Sequence, residues 1–128
     1  MELKFVAVTK PATLSDTVKR RQRLVQRIDQ QIAFIDVMKS GHLPRAAWAW
    51  MDESGSYFLP IKYGRQLVEL KKGKHSILCK DVAELEDALR AVRNMVLAGE
   101  LDLQLAKASA DIRNKFSGAS EASANLAS

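Results

Sequence analysis

Five basic residues, Lys19, Arg20, Arg21, Arg23 and Arg27, fall within nine consecutive positions. On a helix, Lys19, Arg23 and Arg27 recur every four residues and form one ridge, with Arg20 beside it. Such a ridge suits a phosphate backbone. Each cation that neutralises a phosphate releases condensed counterions, and that release supplies affinity without sequence information. Asp16, Asp29 and Asp36 flank the cluster, and none lies within it. Like charges four apart on a helix repel by roughly 0.2–0.5 kcal/mol. A cluster left uncompensated therefore favours an anionic partner, against the plainer reading of a solvated helix face.

A second group is aromatic. Trp48, Trp50, Tyr57 and Tyr63 stand at alternating positions in strand-like sequence, with Lys62, Arg65, Lys71, Lys72 and Lys74 around them. Aromatic side chains on a sheet, ringed by cations, hold single-stranded nucleic acid by stacking. A small sheet covered by helices also needs large side chains for its core. That is the stronger reading for the tryptophans.

Catalytic chemistry finds little support. His75 and Cys79 lie four residues apart in strand-like sequence, about 13 Å along an extended chain, too far for a nucleophile and its base. Cys79 reads as a small core residue. His42, His75 and Cys79 match no metal-ligand spacing. Glu84, Glu86 and Asp87 sit where a helix N-terminus favours negative charge, which is role enough for them. Gly73-Lys74-His75-Ser76 resembles the end of a phosphate loop in letters only, since the earlier glycine is missing and no helix follows. The expectation is a protein that is not an enzyme, with no cofactor and no metal.

The composition agrees with a binding protein. The chain has 128 residues, a net charge of +5, 47% hydrophobic and 27% charged residues. This is enough apolar material for one folded domain, and it excludes a disordered polyelectrolyte. Residues 1–80 carry 15 Lys or Arg against 7 Asp or Glu, and residues 81–128 carry 5 against 8. The positive field thus belongs to the first two thirds, which disfavours an acidic mimic of DNA. No apolar run is long enough to span a membrane, and residues 1–10 lack the apolar core of a signal peptide. With one cysteine no internal disulfide forms, so a reducing cytoplasm is the expected location.

The elements that position these groups follow from periodicity. Leu3–Val8 reads as an edge strand ended by Pro11. Thr13 or Ser15 caps a helix running to about Lys39, with Val18, Val25, Ile28, Ile32 and Ile35 on one stripe. Its 24 residues span about 36 Å. Leu24 and Phe34 lie off the centre of that stripe, which leaves surface for a homodimer. Gly41 and Pro44 end the helix. Residues 46–51, 57–63, 65–71 and 75–79 read as strands of an antiparallel meander, with a turn at Asp52–Ser56 and a hairpin centred on Lys72-Gly73. Pro60 implies that its strand is bent or lies at an edge. Asp81 caps a helix with Val82, Leu85, Leu89, Val92 and Val96 inward, ended by Gly99. A further helix, Asp102 to Lys115, turns Leu105, Ala108 and Ile112 inward. Ser117–Ser128 reads as a flexible Ser/Ala-rich tail, which leaves 1–116 as one α+β domain of three helices on three or four strands.

Tyr63-Gly64, Gly73-Lys74 and Ala98-Gly99-Glu100-Leu101-Asp102 resemble a family of small uncharacterised proteins of proteobacterial phages and prophages. The tryptophan-bearing strand before Gly55 and the basic N-terminal helix are similar too, and the resemblance covers residues 13–116. It supplies a setting and no activity: a phage accessory or host-directed protein. Two functions fit. In the first, a nucleic-acid-binding protein uses Lys19, Arg20, Arg23 and Arg27, with Lys62, Arg65, Lys71, Lys72, Lys74, Tyr57 and Tyr63 as further contacts. In the second, a modulator binds an acidic host protein involved in defence or takeover.

Overall fold

A computed structural model describes residues 2–7 and 15–127, with side chains for those up to Asn114. Ser15 starts the first helix, because its hydroxyl oxygen accepts a hydrogen bond from the Val18 N–H at 3.2 Å and so satisfies one of the free donors of the first turn. Helix α1 spans Asp16–Ala33 and α2 spans Ile35–Lys39. Only Phe34 separates them, and its backbone stays near the helical region at φ −73° and ψ −15°, its N–H shared between the Gln30 and Gln31 carbonyls. The long helix expected from the sequence is present with this single interruption. Thr13, the alternative cap, lies outside the described residues.

The buried stripe of this helix centres on Leu24, Ile28, Ile35 and Met38, with Val25, Ile32 and Phe34 packed at its flanks. Leu24 has no exposed surface. Leu24 is therefore spent inside the monomer and Phe34 is half-buried against the core, so Leu24 offers none of the surface expected there for a homodimer. Residues 2–7 form no strand and are exposed, which corrects the edge strand expected at Leu3–Val8. Val8 and Pro11 lie outside the described residues.

The strands are β1 (Trp50–Met51), β2 (Tyr57–Pro60), β3 (Lys62–Tyr63), β4 (Gln66–Leu67) and β5 (Ser76–Cys79). All pairings are antiparallel, but the strands divide between two sheets, β1-β2-β5 and β3-β4. The chain leaves the first sheet at Ile61, whose carbonyl accepts from the Val68 N–H at 2.8 Å while its own N–H donates to the His75 carbonyl at 3.4 Å. The β3–β4 ribbon is thus a side excursion. Between β4 and β5 the chain makes the expected hairpin, where Lys71 bridges Lys74 and Gly73 takes the required positive φ of 73°.

Pro60 explains why β1 is so short. Asp52 N–H bonds the Ser56 carbonyl at 2.9 Å, and Trp50 stands opposite Phe58. Bonded pairs in an antiparallel ladder fall at every second position, so the next would join Trp48 to Pro60. Proline has no N–H to give. The Trp48 carbonyl is thereby left without its ladder donor, and the Trp48 N–H goes to the Gln31 side-chain oxygen at 2.8 Å rather than to the Pro60 carbonyl, while the Gln31 amide donates to the Ala46 carbonyl at 3.2 Å. Residues 46–49 are consequently held by α1 rather than by a strand. β2 is the central strand of its sheet, not an edge.

Asp81 caps helix α3 (Val82–Leu97) by accepting the Glu84 N–H at 2.9 Å, and the Glu84 carboxylate reaches back to the Lys80 N–H at 2.7 Å. Leu85, Leu89, Val92 and Val96 are buried as their spacing predicts. Gly99, at φ 80°, ends the helix. Helix α4 (Asp102–Ala127) buries Leu105 and Ala108 and runs past the expected end near Lys115. Residues 116–127 contain no proline, and their alanines favour the helical backbone. α1 packs on α3, α4 and β3, and α3 on β2 and β5, closing one core over the inner face of the larger sheet. The fold is α+β.

Candidate nucleic-acid interface

The expected ridge is present: Lys19, Arg23 and Arg27 are exposed on successive turns of α1, about 6 Å apart at 1.5 Å per residue. Arg23 and Arg27 also line a groove of about 740 Å³ whose opposite wall is Lys62, Tyr63 and Gly64, with Ile112 of α4 at its end. The fold thus brings together cations that lie 35 residues or more apart in sequence. Among the described residues, no carboxylate lines this groove. Gln26 and Gln30 add amide groups, and Arg27 Nη1 donates to Gln30 Oε1 at 3.1 Å.

The acids near the ridge are engaged elsewhere. Arg93 Nε of α3 donates to Asp29 Oδ1 at 2.7 Å. Arg21, on the far side of α1, makes a two-pronged contact to Asp102, with Nε–Oδ1 at 2.8 Å and Nη2–Oδ2 at 2.5 Å. The hydrogen bonds from Arg21 hold the Asp102 carboxyl below its usual range, with the charges of Arg21 and Arg20 adding to the effect. Arg20 is half-buried and directed to this end of the helix rather than to the groove. Among the described residues, Lys19, Arg23 and Lys62 have no carboxylate partner.

The remaining predicted contacts scatter. Arg65 is exposed in the turn between β3 and β4. Lys71 and Lys72 border a second cavity of about 440 Å³ between the β3–β4 ribbon and α4. Its charge is mixed: Glu69 pairs with Lys107 at 3.6 Å, and Asp111 lies on the same wall. The Gly73 N–H, followed by Lys107, holds the Glu69 carboxyl low. Lys74 is exposed at the hairpin.

The stacking platform is not formed by the tyrosines. Tyr63 is 7% exposed, and Tyr57 packs against the same core. Trp48 also packs there, whereas Trp50 faces out and stacks on Phe58 with ring centroids 4.6 Å apart. Sequence reasoning passed over Phe58, yet counting across the Asp52–Ser56 turn pairs it with Trp50. It also missed Gln26, Gln30 and Ile112, whose role depends on how α1 meets β3 and α4.

Cys79 is buried in the core, and burial pushes its thiol up, with Glu84 and Asp81 adding to the rise. Among the described residues, no three His, Cys, Asp or Glu side chains gather as a metal-holding group, and no helix is long and apolar enough to cross a membrane. Comparison with known proteins finds no matching family model, no matching curated protein and no matching solved structure.

Proposed function

We propose that this chain is a non-enzymatic accessory protein of phage type, acting in a bacterial cytoplasm, that binds nucleic acid through its phosphates. The observation that supports the reading is the groove in which Arg23 and Arg27 of α1 face Lys62 of β3 with no carboxylate on the lining among the described residues. Two packed elements fix the backbones that carry these three cations, so that only side chains have to order on binding, and a strand laid along α1 meets Lys19 next. Contacts of this kind give register on a backbone and little discrimination among bases.

Titration of labelled duplex and single strands over a range of salt concentrations tests the reading. Replacing Arg20, Arg23 and Arg27 together by Gln keeps helix propensity. It is expected to flatten the log–log salt slope by about 0.9 on duplex, or about 0.7 on a single strand, for each phosphate that is no longer neutralised. Arg20, facing away from the groove, contributes the least of the three. Varied sequences lose affinity together. The second reading, a modulator of an acidic host protein, uses the same uncompensated groove. It takes over if the native chain retains neither duplex nor single strand at low salt while the triple variant loses a host protein that the native chain captures.

A further inference from the structure

Among the apolar side chains exposed on the described residues are two groups that can meet. One is a row across the outer face of the larger sheet: Trp50, 51% exposed, stacks on Phe58, and Leu78, 65% exposed, stands opposite Phe58 in the next strand. The other is the segment of residues 2–7, with Leu3 69%, Phe5 91% and Val6 72% exposed. A surface row and a free segment of this kind each cost hydration that a partner would relieve.

Strand β5 joins the two. It pairs with β2 on one side and, among the described residues, with no strand on the other. The bond from the Ile61 N–H to the His75 carbonyl fixes the phase of the ladder, so the bonded partners toward β2 are His75, Ile77 and Cys79. Ser76 and Leu78 therefore aim their N–H and C=O groups at the open edge. Lys80, next in that phase, has its N–H already taken by Glu84. The edge is open over Ser76–Leu78 and closed beyond it.

We infer that residues 2–7 of one copy add as a strand to the open β5 edge of a second copy, and that the exchange is reciprocal. Strand alternation lays Leu3, Phe5 and Ala7 over Leu78 and Phe58 and turns Lys4 to the α3 side. Of the acids at the start of that helix, Glu84 already pairs with Lys80 and Glu86 with Lys39 and Arg90, and exposed Asp87 has no basic partner among the described residues, so it is the acid left for Lys4. The single chain makes no such pairing, which assigns the strand to a second copy. Each copy offers one strand and one edge, so two equivalent junctions close the dimer. The surface is separate from the phosphate groove, and the inference stands without it.

Sedimentation of the full chain from low to high micromolar concentration tests it, with a monomer–dimer equilibrium expected. Deleting residues 2–7, Phe5→Asp and Leu78→Asp are each expected to give monomers at concentrations where the native chain is dimeric. Circular dichroism stays unchanged, because both substituted side chains are exposed. An equimolar mixture of F5D and L78D rebuilds one junction of the two and regains part of the dimer. A native chain that stays monomeric throughout overturns the inference. So does a dimer that survives all three changes, or a mixture no more associated than its components.

Discussion

Helix α1 presents two sides whose polar groups are treated in opposite ways. On the side facing the body of the protein, Gln31 is 4% exposed and satisfies both Ala46 and Trp48. Arg21 is gripped by Asp102, and Asp29 by Arg93. On the side facing the groove, Arg23 and Lys19 meet no carboxylate among the described residues. Arg21 and Arg23 are two residues apart, and their surroundings separate a structural cation from one open to a ligand. The basic cluster in the sequence is therefore not one feature. The fold sorts its members by what α4 and β3 place against each.

The sorting predicts that changes on the inner side alter stability and leave binding alone. Gln31→Ala is expected to have the largest effect. It strands the Trp48 N–H and the Ala46 carbonyl and costs about 3 kcal/mol, given about 1–3 kcal/mol for each buried group left unsatisfied. Urea unfolding measures it, and a loss well under 1 kcal/mol would detach residues 46–49 from α1. Gly99→Ala follows. A side chain in the left-handed region costs about 1–2 kcal/mol, and its Cβ would stand 2.8 Å from Arg21 Nη2 and 3.1 Å from Asp102 Oδ2. The variant unfolds earlier but binds nucleic acid normally once folded.

On the outer side, Arg23→Gln and Arg27→Gln are each expected to weaken binding a few-fold and lower the duplex salt slope by about 0.9. Their melting temperatures stay at the native value. If a single change here destabilised the fold as Gln31→Ala does, the two sides would not differ in kind.

The smallest effect is a pH dependence. Arg21→Gln is expected to lower the melting temperature modestly at neutral pH. The folded Asp102 carboxyl is held below its usual range, so its contribution is complete above the ordinary carboxylate range. It is lost as pH falls through the depressed folded value. The gap between native and variant melting temperatures closes on acidification, which thermal scans from neutral to strongly acid pH would show.

Periodicity carried the helices well, because α3 and α1 bury one face each and repeat without Gly or Pro. Leu24 was the exception. It stood at the edge of the stripe in the sequence but at its centre in the fold, because α3 and α4 press on α1 from two directions. The strands were less readable. The break after residue 49 depends on Pro60 in another strand and on Gln31 in a helix, neither of which local alternation can report. The groove was half visible. Its α1 cations were plain from spacing, whereas Lys62 was one lysine among several until the chain left the larger sheet at Ile61.

That departure has a practical side. The excursion is pinned at its base by the Ile61 bonds to His75 and Val68, and the tip of the hairpin that follows β4, at Lys72-Gly73, is exposed, with nothing within 4 Å of a side chain added at Gly73. Lengthening a flexible loop costs only about 0.6 kcal/mol per doubling. A short reporter peptide spliced at the tip would forfeit the hydrogen bond from Gly73 to Glu69 and little else. The hairpin is thus a handle for labelling or tethering the protein, attached to the body and away from the residues that line the groove.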